Sequence, residues 1–142
     1  MTKLFLDASV IFSALNSKVG GSRQIIRLAK HGKVVVVTSQ LVIEEVTRNL
    51  DKIDNLDYND FYSFLAETPI IIREQITEAE IKPFLDLVEK KDAHVVAGAV
   101  LTNCDYLVTL DKKHLYNPKV KKKVKEVEIV TSKDYLERFV QT

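Results

Sequence analysis

An α/β three-layer sandwich with a central, mainly parallel sheet is the fold class this sequence predicts, and two observations carry it. Five short apolar runs are rich in β-branched or aromatic residues: Leu4-Phe5-Leu6, the valines 34–37, Ile70-Ile71-Ile72, Tyr106-Leu107-Val108 and residues 127–130. Most are continuous rather than alternating, as expected of strands covered on both faces. The segments between them carry helical spacing, so strands and helices alternate along the chain.

The elements follow in order. Residues 22–31 place Ile25, Ile26, Leu28 and Ala29 on one helix, with Gly32 as its stop. Ser39 is a natural N-cap for a helix whose apolar stripe is Val42, Ile43, Val46, Leu50 and Ile53. Residues 59–67 and 77–89 read as further helices, the second opened by a Thr77/Glu80 capping box and interrupted by Pro83. Residues 92–101 form a helix of small side chains (Ala93, Ala97, Gly98, Ala99) suited to close packing on a sheet, and residues 132–140 close the fold.

The 142 residues correspond to a single domain spanning 1–142. With 46% hydrophobic and 29% charged residues the composition is that of an ordinary globular protein. Cys104 is the only cysteine, which excludes an internal disulfide and a thiolate-rich zinc site. No apolar run reaches the ~18 residues of a membrane span, and the N-terminus lacks the order of a signal peptide, so a soluble, cytoplasmic protein is expected. The net charge of +1 points to no polyanionic partner by itself. Its distribution is uneven, however. Residues 112–125 contain Lys112, Lys113, Lys119, Lys121, Lys122, Lys123 and Lys125 with no acid. That run serves either as a lysine-protected edge or as a rim for a phosphate backbone.

Two of the strands run directly into carboxylates, Leu6 into Asp7 and Leu110 into Asp111. In open α/β sheets ligands bind outside the carboxyl ends of the strands, where two such acids can converge; each can also simply cap the next helix. On the Ser39 helix, Glu44 points away from the apolar stripe, whereas Glu45 lies at its border and can reach a cleft beside the sheet. Asp92 opens the small-residue helix. Four carboxylates in one cleft repel by about 4 kcal/mol per close pair at an effective dielectric near 20. A divalent cation relieves that repulsion, and oxygen-only donors suit Mg²⁺ or Mn²⁺, one ion or two. Such a site serves phosphodiester hydrolysis.

The ordered set resembles the PIN domain: Asp7 after the first strand, Glu45 on the helix begun at Ser39, Asp92 opening a small-residue helix, and the stretch CDYLVTLDKKHL at 104–115. The resemblance runs from about Lys3 to Thr131. PIN domains are metal-dependent ribonucleases, many of them VapC-type toxins. The resemblance therefore implies that Asp7, Glu45, Asp92 and Asp111 are the catalytic and metal-holding acids, supported by Ser9 and Thr109. It also implies RNA as substrate and a cognate antitoxin as partner. Lys112, Lys113, Lys121, Lys122 and Lys123 are the expected RNA contacts.

Asp105 precedes its strand and is expected at the opposite end of the sheet. His94 and His114 are expected mainly on the surface. Tyr58, Phe61, Tyr62 and Phe64 suit a core or a homodimer contact. Two alternatives are weighed against a nuclease. One is a receiver-like phospho-accepting domain, although Thr38 and Thr131 stand where that fold needs an Asp and a Lys. The other is a PIN-like domain that only binds RNA or protein.

Overall fold

A computed structural model describes residues 1–52 and 56–141. Five strands form one parallel sheet: β1 (Lys3–Leu6), β2 (Val35–Ser39), β3 (Ile70–Arg73), β4 (Tyr106–Val108) and β5 (Glu128–Val130). Their spatial order is β3-β2-β1-β4-β5. A receiver-type sheet has the order 2-1-3-4-5, so the receiver alternative does not fit this chain.

The sequence run Leu4-Phe5-Leu6 lies on the middle strand, and all three side chains are fully buried, which is why this run shows no polar alternation. β2 begins one residue later than the valine run and extends through Thr38, whose hydroxyl donates to the Leu6 carbonyl at 2.8 Å.

Helices α1 (Ala8–Asn16) and α2 (Gly21–Lys30) link β1 to β2, and α3 (Gln40–Arg48) and α4 (Tyr58–Glu67) lead to β3. α5 (Glu78–Ile81) and α6 (Ala93–Leu101) return the chain to β4, α7 (Pro118–Lys123) leads to β5, and α8 (Ser132–Gln141) follows it. Right-handed crossovers put α1–α4 on one face and α5–α7 on the other. α8 comes back to the first face against α2, where Ser22 and Ser132 hydroxyls lie 2.9 Å apart. α6 crosses the centre of the sheet so closely that Gly98 sits directly over the Phe5 ring. Among the described residues no helix is long and apolar enough to cross a membrane.

Several helices differ from expectation. The 77–89 segment is broken: the Thr77/Glu80 capping box forms, but α5 ends at Ile81 and gives way to a 3-10 turn at Lys82–Phe84 that accommodates Pro83. α1 was not expected; it is started by Asp7 and buries Ala8, Val10, Ile11 and Ala14. α7 was expected as loop and strand edge. It is capped by Asn117, begins with Pro118 and anchors only Val120, too short a pattern to show periodicity. Ile53, expected on the α3 stripe, lies outside the described residues.

The connections from β1 and β4 leave in opposite directions across the sheet. This switch point opens a crevice at the carboxyl ends of those two strands; β1 runs directly into Asp7, whereas β4 ends at Val108 and reaches Asp111 through Thr109 and Leu110 rather than as continuous strand.

Candidate metal centre

Asp7 follows β1 and continues its ladder, its N–H donating to the Val108 carbonyl at 3.1 Å. Its carboxyl is buried and held by three hydrogen bonds: Oδ1 accepts from the Ala8 N–H at 2.8 Å, and Oδ2 accepts from the hydroxyls of Thr109 at 2.7 Å and Ser9 at 3.1 Å. The same two hydroxyls hold the loop after β4. Thr109 Oγ1 accepts from the Asp111 N–H at 3.1 Å and Ser9 Oγ from the Leu110 N–H at 3.0 Å. Ser9 and Thr109 thus couple the exits of the two central strands, so Asp7 and Asp111 are set against each other by backbone geometry.

Asp111 in turn shapes the next turn. Its Oδ1 accepts from the N–H groups of Lys113 at 3.0 Å and His114 at 2.9 Å, while Oδ2 lies 3.1 Å from His114 Nδ1. Glu45 reaches the cleft from α3, and its neighbour Glu44 is exposed. Asp92 ends a 3-10 turn (Lys90–Asp92) just before α6. It makes no capping hydrogen bond, so helix capping does not explain it.

Asp7, Ser9, Glu45, Asp92 and Asp111 line one cleft of about 570 Å³. Asp105 sits at the other end of the sheet, where its carboxylate accepts from the Lys3 N–H at 2.8 Å.

The electrostatics are those of crowded acids. Burial, with the charge of Asp111 adding to it, raises Asp7 above the usual carboxylate range against the pull of its hydrogen bonds. Glu45 is raised by burial and then by Asp7 and Asp92. Asp92 is pushed up to about 6 by burial and by Asp7 and Asp111. Asp111 alone is lowered, because the hydrogen bonds from His114 and Lys113 outweigh its burial.

A divalent cation fits this donor set. Asp92 Oδ2 is buried without a hydrogen-bond partner among the described residues, which is costly for a carboxylate oxygen unless something positive faces it. Asp92, Asp111 and His114 each bring a ligand atom within 4.8 Å of the others.

The raised acids give the cation-free protein a specific pH dependence. Between the usual aspartate value of 3.8 and about 6, folded Asp92 binds protons that the unfolded chain has released, so its contribution makes stability fall as pH rises through that window. His94, lowered by burial, acts with the opposite sign. Comparing wild type with Asp92→Asn isolates the Asp92 contribution. In EDTA the variant should be more stable at pH 7 by about 1 kcal/mol after solvent screening, with the difference all but gone at about pH 3, below the unfolded value. Urea unfolding at the two pH values measures it.

Sequence reasoning placed His94 on the surface, and the structure corrects this. His94 lines the cleft with its Nε2 3.9 Å from Glu45 Oε1, and its Nδ1 is buried without a partner among the described residues. α6 is apolar on nearly every side, so no polar face existed from which to judge its phase. Arg48 and Lys91 also line the cleft. Each had a legible signal, since Arg48 lies one turn beyond Glu45 and Lys91 precedes Asp92.

A second groove of about 350 Å³ is lined by His114, whose Nδ1 lies 3.1 Å from Asp111 of the first. Lys113 and Lys123 line it, together with Lys90 and Lys119. Lys112 and Lys122 are exposed and do not line it. Lys121 turns its ammonium over the Tyr116 ring, 4.5 Å from the centroid.

A family model described as PIN domain matches residues 3–113. The chain belongs to the PIN domain family. All four acids lie within the matched part, while His114 and α7 lie beyond it. No curated protein matches this chain. Solved structures share the PIN fold at low identity. One is PAE2754 from Pyrobaculum aerophilum, with 16% identity, a TM-score of 0.64, and coverage of 99% of this chain and 97% of that one. Another is VapBC2 from Rickettsia felis bound to a DNA fragment from their promoter, with 16% identity, a TM-score of 0.64 and coverage of 92% and 98%. A third is DNA-bound VapBC from Salmonella typhimurium, with 13% identity, a TM-score of 0.64 and coverage of 93% and 99%.

Proposed function

We propose that this PIN domain is a Mg²⁺- or Mn²⁺-dependent endoribonuclease that hydrolyses RNA phosphodiester bonds and serves as the toxin of a toxin–antitoxin pair. The observation that carries the reading is the convergence of Asp7, Glu45, Asp92 and Asp111 on one cleft, with a carboxylate oxygen of Asp92 buried and without a partner among the described residues. Asp7, Asp92 and Asp111 hold the cation, and Glu45 completes the site. The cation supplies Lewis acidity toward the phosphoryl group and makes water acidic enough to act near neutral pH.

The chain's own groups do the rest. Ser9 and Thr109 hold Asp7 in one orientation through their hydroxyls. Glu45, beside Asp7 and Asp92, orients the attacking water and takes its proton. A bond forms from water oxygen to phosphorus, the bond to the leaving ribose oxygen breaks, that oxygen takes a proton from solvent water, and Glu45 returns its proton to solvent. Arg48 and Lys91 at the cleft wall attract the phosphate. The toxin role draws support from the fold shared with the two VapBC structures, and a cognate antitoxin is the partner it implies.

Because water is the nucleophile, the 2′-hydroxyl is dispensable. A single-stranded RNA carrying one 2′-deoxynucleotide at the cleaved linkage should still be cut, and all-ribose RNA should be cut without leaving a 2′,3′-cyclic phosphate. Protection by the deoxy substitution, or cyclic ends, would replace this mechanism with attack by the ribose.

The second groove, lined by four lysines and by Asp86 and Glu89, is the path we propose for the RNA backbone. Lys113, Lys119 and Lys123 changed together to Gln should weaken RNA binding and lower the slope of log affinity against log salt by about 2, at roughly 0.7 per phosphate contact to a single strand. An unchanged slope would leave these lysines as solvated surface.

A further inference from the structure

We propose that His114 supplies an imidazole donor to the cation held by Asp92 and Asp111, giving this site a mixed oxygen and nitrogen shell that favours Mn²⁺ over Mg²⁺. The inference rests on the function proposed above and concerns which cation the site selects. His114 lies just beyond the part of the chain matched by the family model, so the four-acid pattern does not account for it.

Three observations carry it. One ligand atom each from Asp92, Asp111 and His114 falls within 4.8 Å of the others. Donors on one ion lie about 3.0 Å apart when adjacent and about 4.2 Å apart when opposite at bonds of ~2.1 Å, so side-chain movements of about an ångström or two close the group. The imidazole is also held in place before any ion arrives. The turn from Asp111 is pinned by the His114 N–H on Oδ1 at 2.9 Å, and His114 Nδ1 stands 3.1 Å from Oδ2. Finally, Asp92, one of the three, presents a buried oxygen with no partner among the described residues.

The chemistry then discriminates between cations. Mg²⁺ demands near-octahedral oxygen and gives up water reluctantly, so an imidazole adds little to its binding. First-row divalent ions accept nitrogen readily, and Mn²⁺ also accepts the two carboxylates.

The test is cation binding to the RNA-free protein at pH 7.5, by calorimetry and by pulsed electron paramagnetic resonance of bound Mn²⁺ with ¹⁵N-labelled histidine. Wild type should bind Mn²⁺ at least about tenfold more tightly than Mg²⁺ and show coupling to a histidine nitrogen. His114→Asn should lose that coupling and about 10–100-fold of Mn²⁺ affinity while changing Mg²⁺ affinity less than about threefold. His94→Asn should keep the coupling. The labelled wild type reports the nitrogen even if a variant folds poorly. Mn²⁺ binding without nitrogen coupling, or coupling that survives His114→Asn, overturns the role of His114 and leaves the carboxylate site standing. A folded wild type that binds neither cation overturns this inference and the proposed function together.

Discussion

Asp7→Asn should abolish RNA hydrolysis while leaving the fold intact. The amide keeps the shape of the side chain and can still accept from the Ala8 N–H, and the Ser9 and Thr109 hydroxyls can rotate to meet it. What is lost is the buried negative charge of Asp7 beside Glu45, Asp92 and Asp111, in the proposed cation site. Loss of an outer partner of a metal site costs roughly 10–100-fold in activity, and loss of a ligand should exceed that. Stability should move the other way. Burial and Asp111 already raise the Asp7 pKa, so the cation-free variant should melt at or above the wild-type temperature at pH 7. Rates on single-stranded RNA and thermal melts in EDTA check both halves. A variant that is inactive because it is unfolded would turn Asp7 into a structural residue.

The second large effect is on stability. At Gly98 an added Cβ would lie 2.6 Å from Phe5 Cζ and 2.8 Å from Cε2, inside a ring that is itself fully buried in the middle strand. Gly98→Ala gains about 1 kcal/mol of helix propensity, but overpacking of this kind costs about 1–3 kcal/mol. Gly98→Val adds bulk and loses that propensity, so it should destabilise the protein by roughly 3 kcal/mol or more. Urea unfolding measures the loss. Phe5→Leu should be less damaging in the Gly98→Val background than in wild type, because the two positions share one contact.

Gly98 also shows what the sequence displayed. Small residues on α6 announced a close approach to the sheet, and the apolar runs announced all five strands; two-sided burial removes polar residues from the central ones, whereas edge strand β3 keeps its isoleucines although none of them is buried. Asp7 and Asp111 were readable as strand-terminal acids, and Glu45 was separable from Glu44 because α3 has one apolar stripe from which to count turns. The same counting was impossible on α6, where His94 sits among residues buried on all sides. His114 was obscured for another reason: its place depends on the turn that Asp111 builds by accepting two backbone N–H groups, a tertiary consequence with no periodic signature. α7 has a single buried anchor, Val120, and a lone anchor among lysines reads as loop.

The most direct test of the acidic cleft as a hydrolytic centre is RNA cleavage by wild-type protein stripped of cations and then reloaded. Protein dialysed against EDTA should leave single-stranded RNA intact, and Mn²⁺ or Mg²⁺ added in excess of the chelator should restore cleavage. Cleavage at full rate in EDTA would contradict the account, because the four carboxylates would then have no part in activating water.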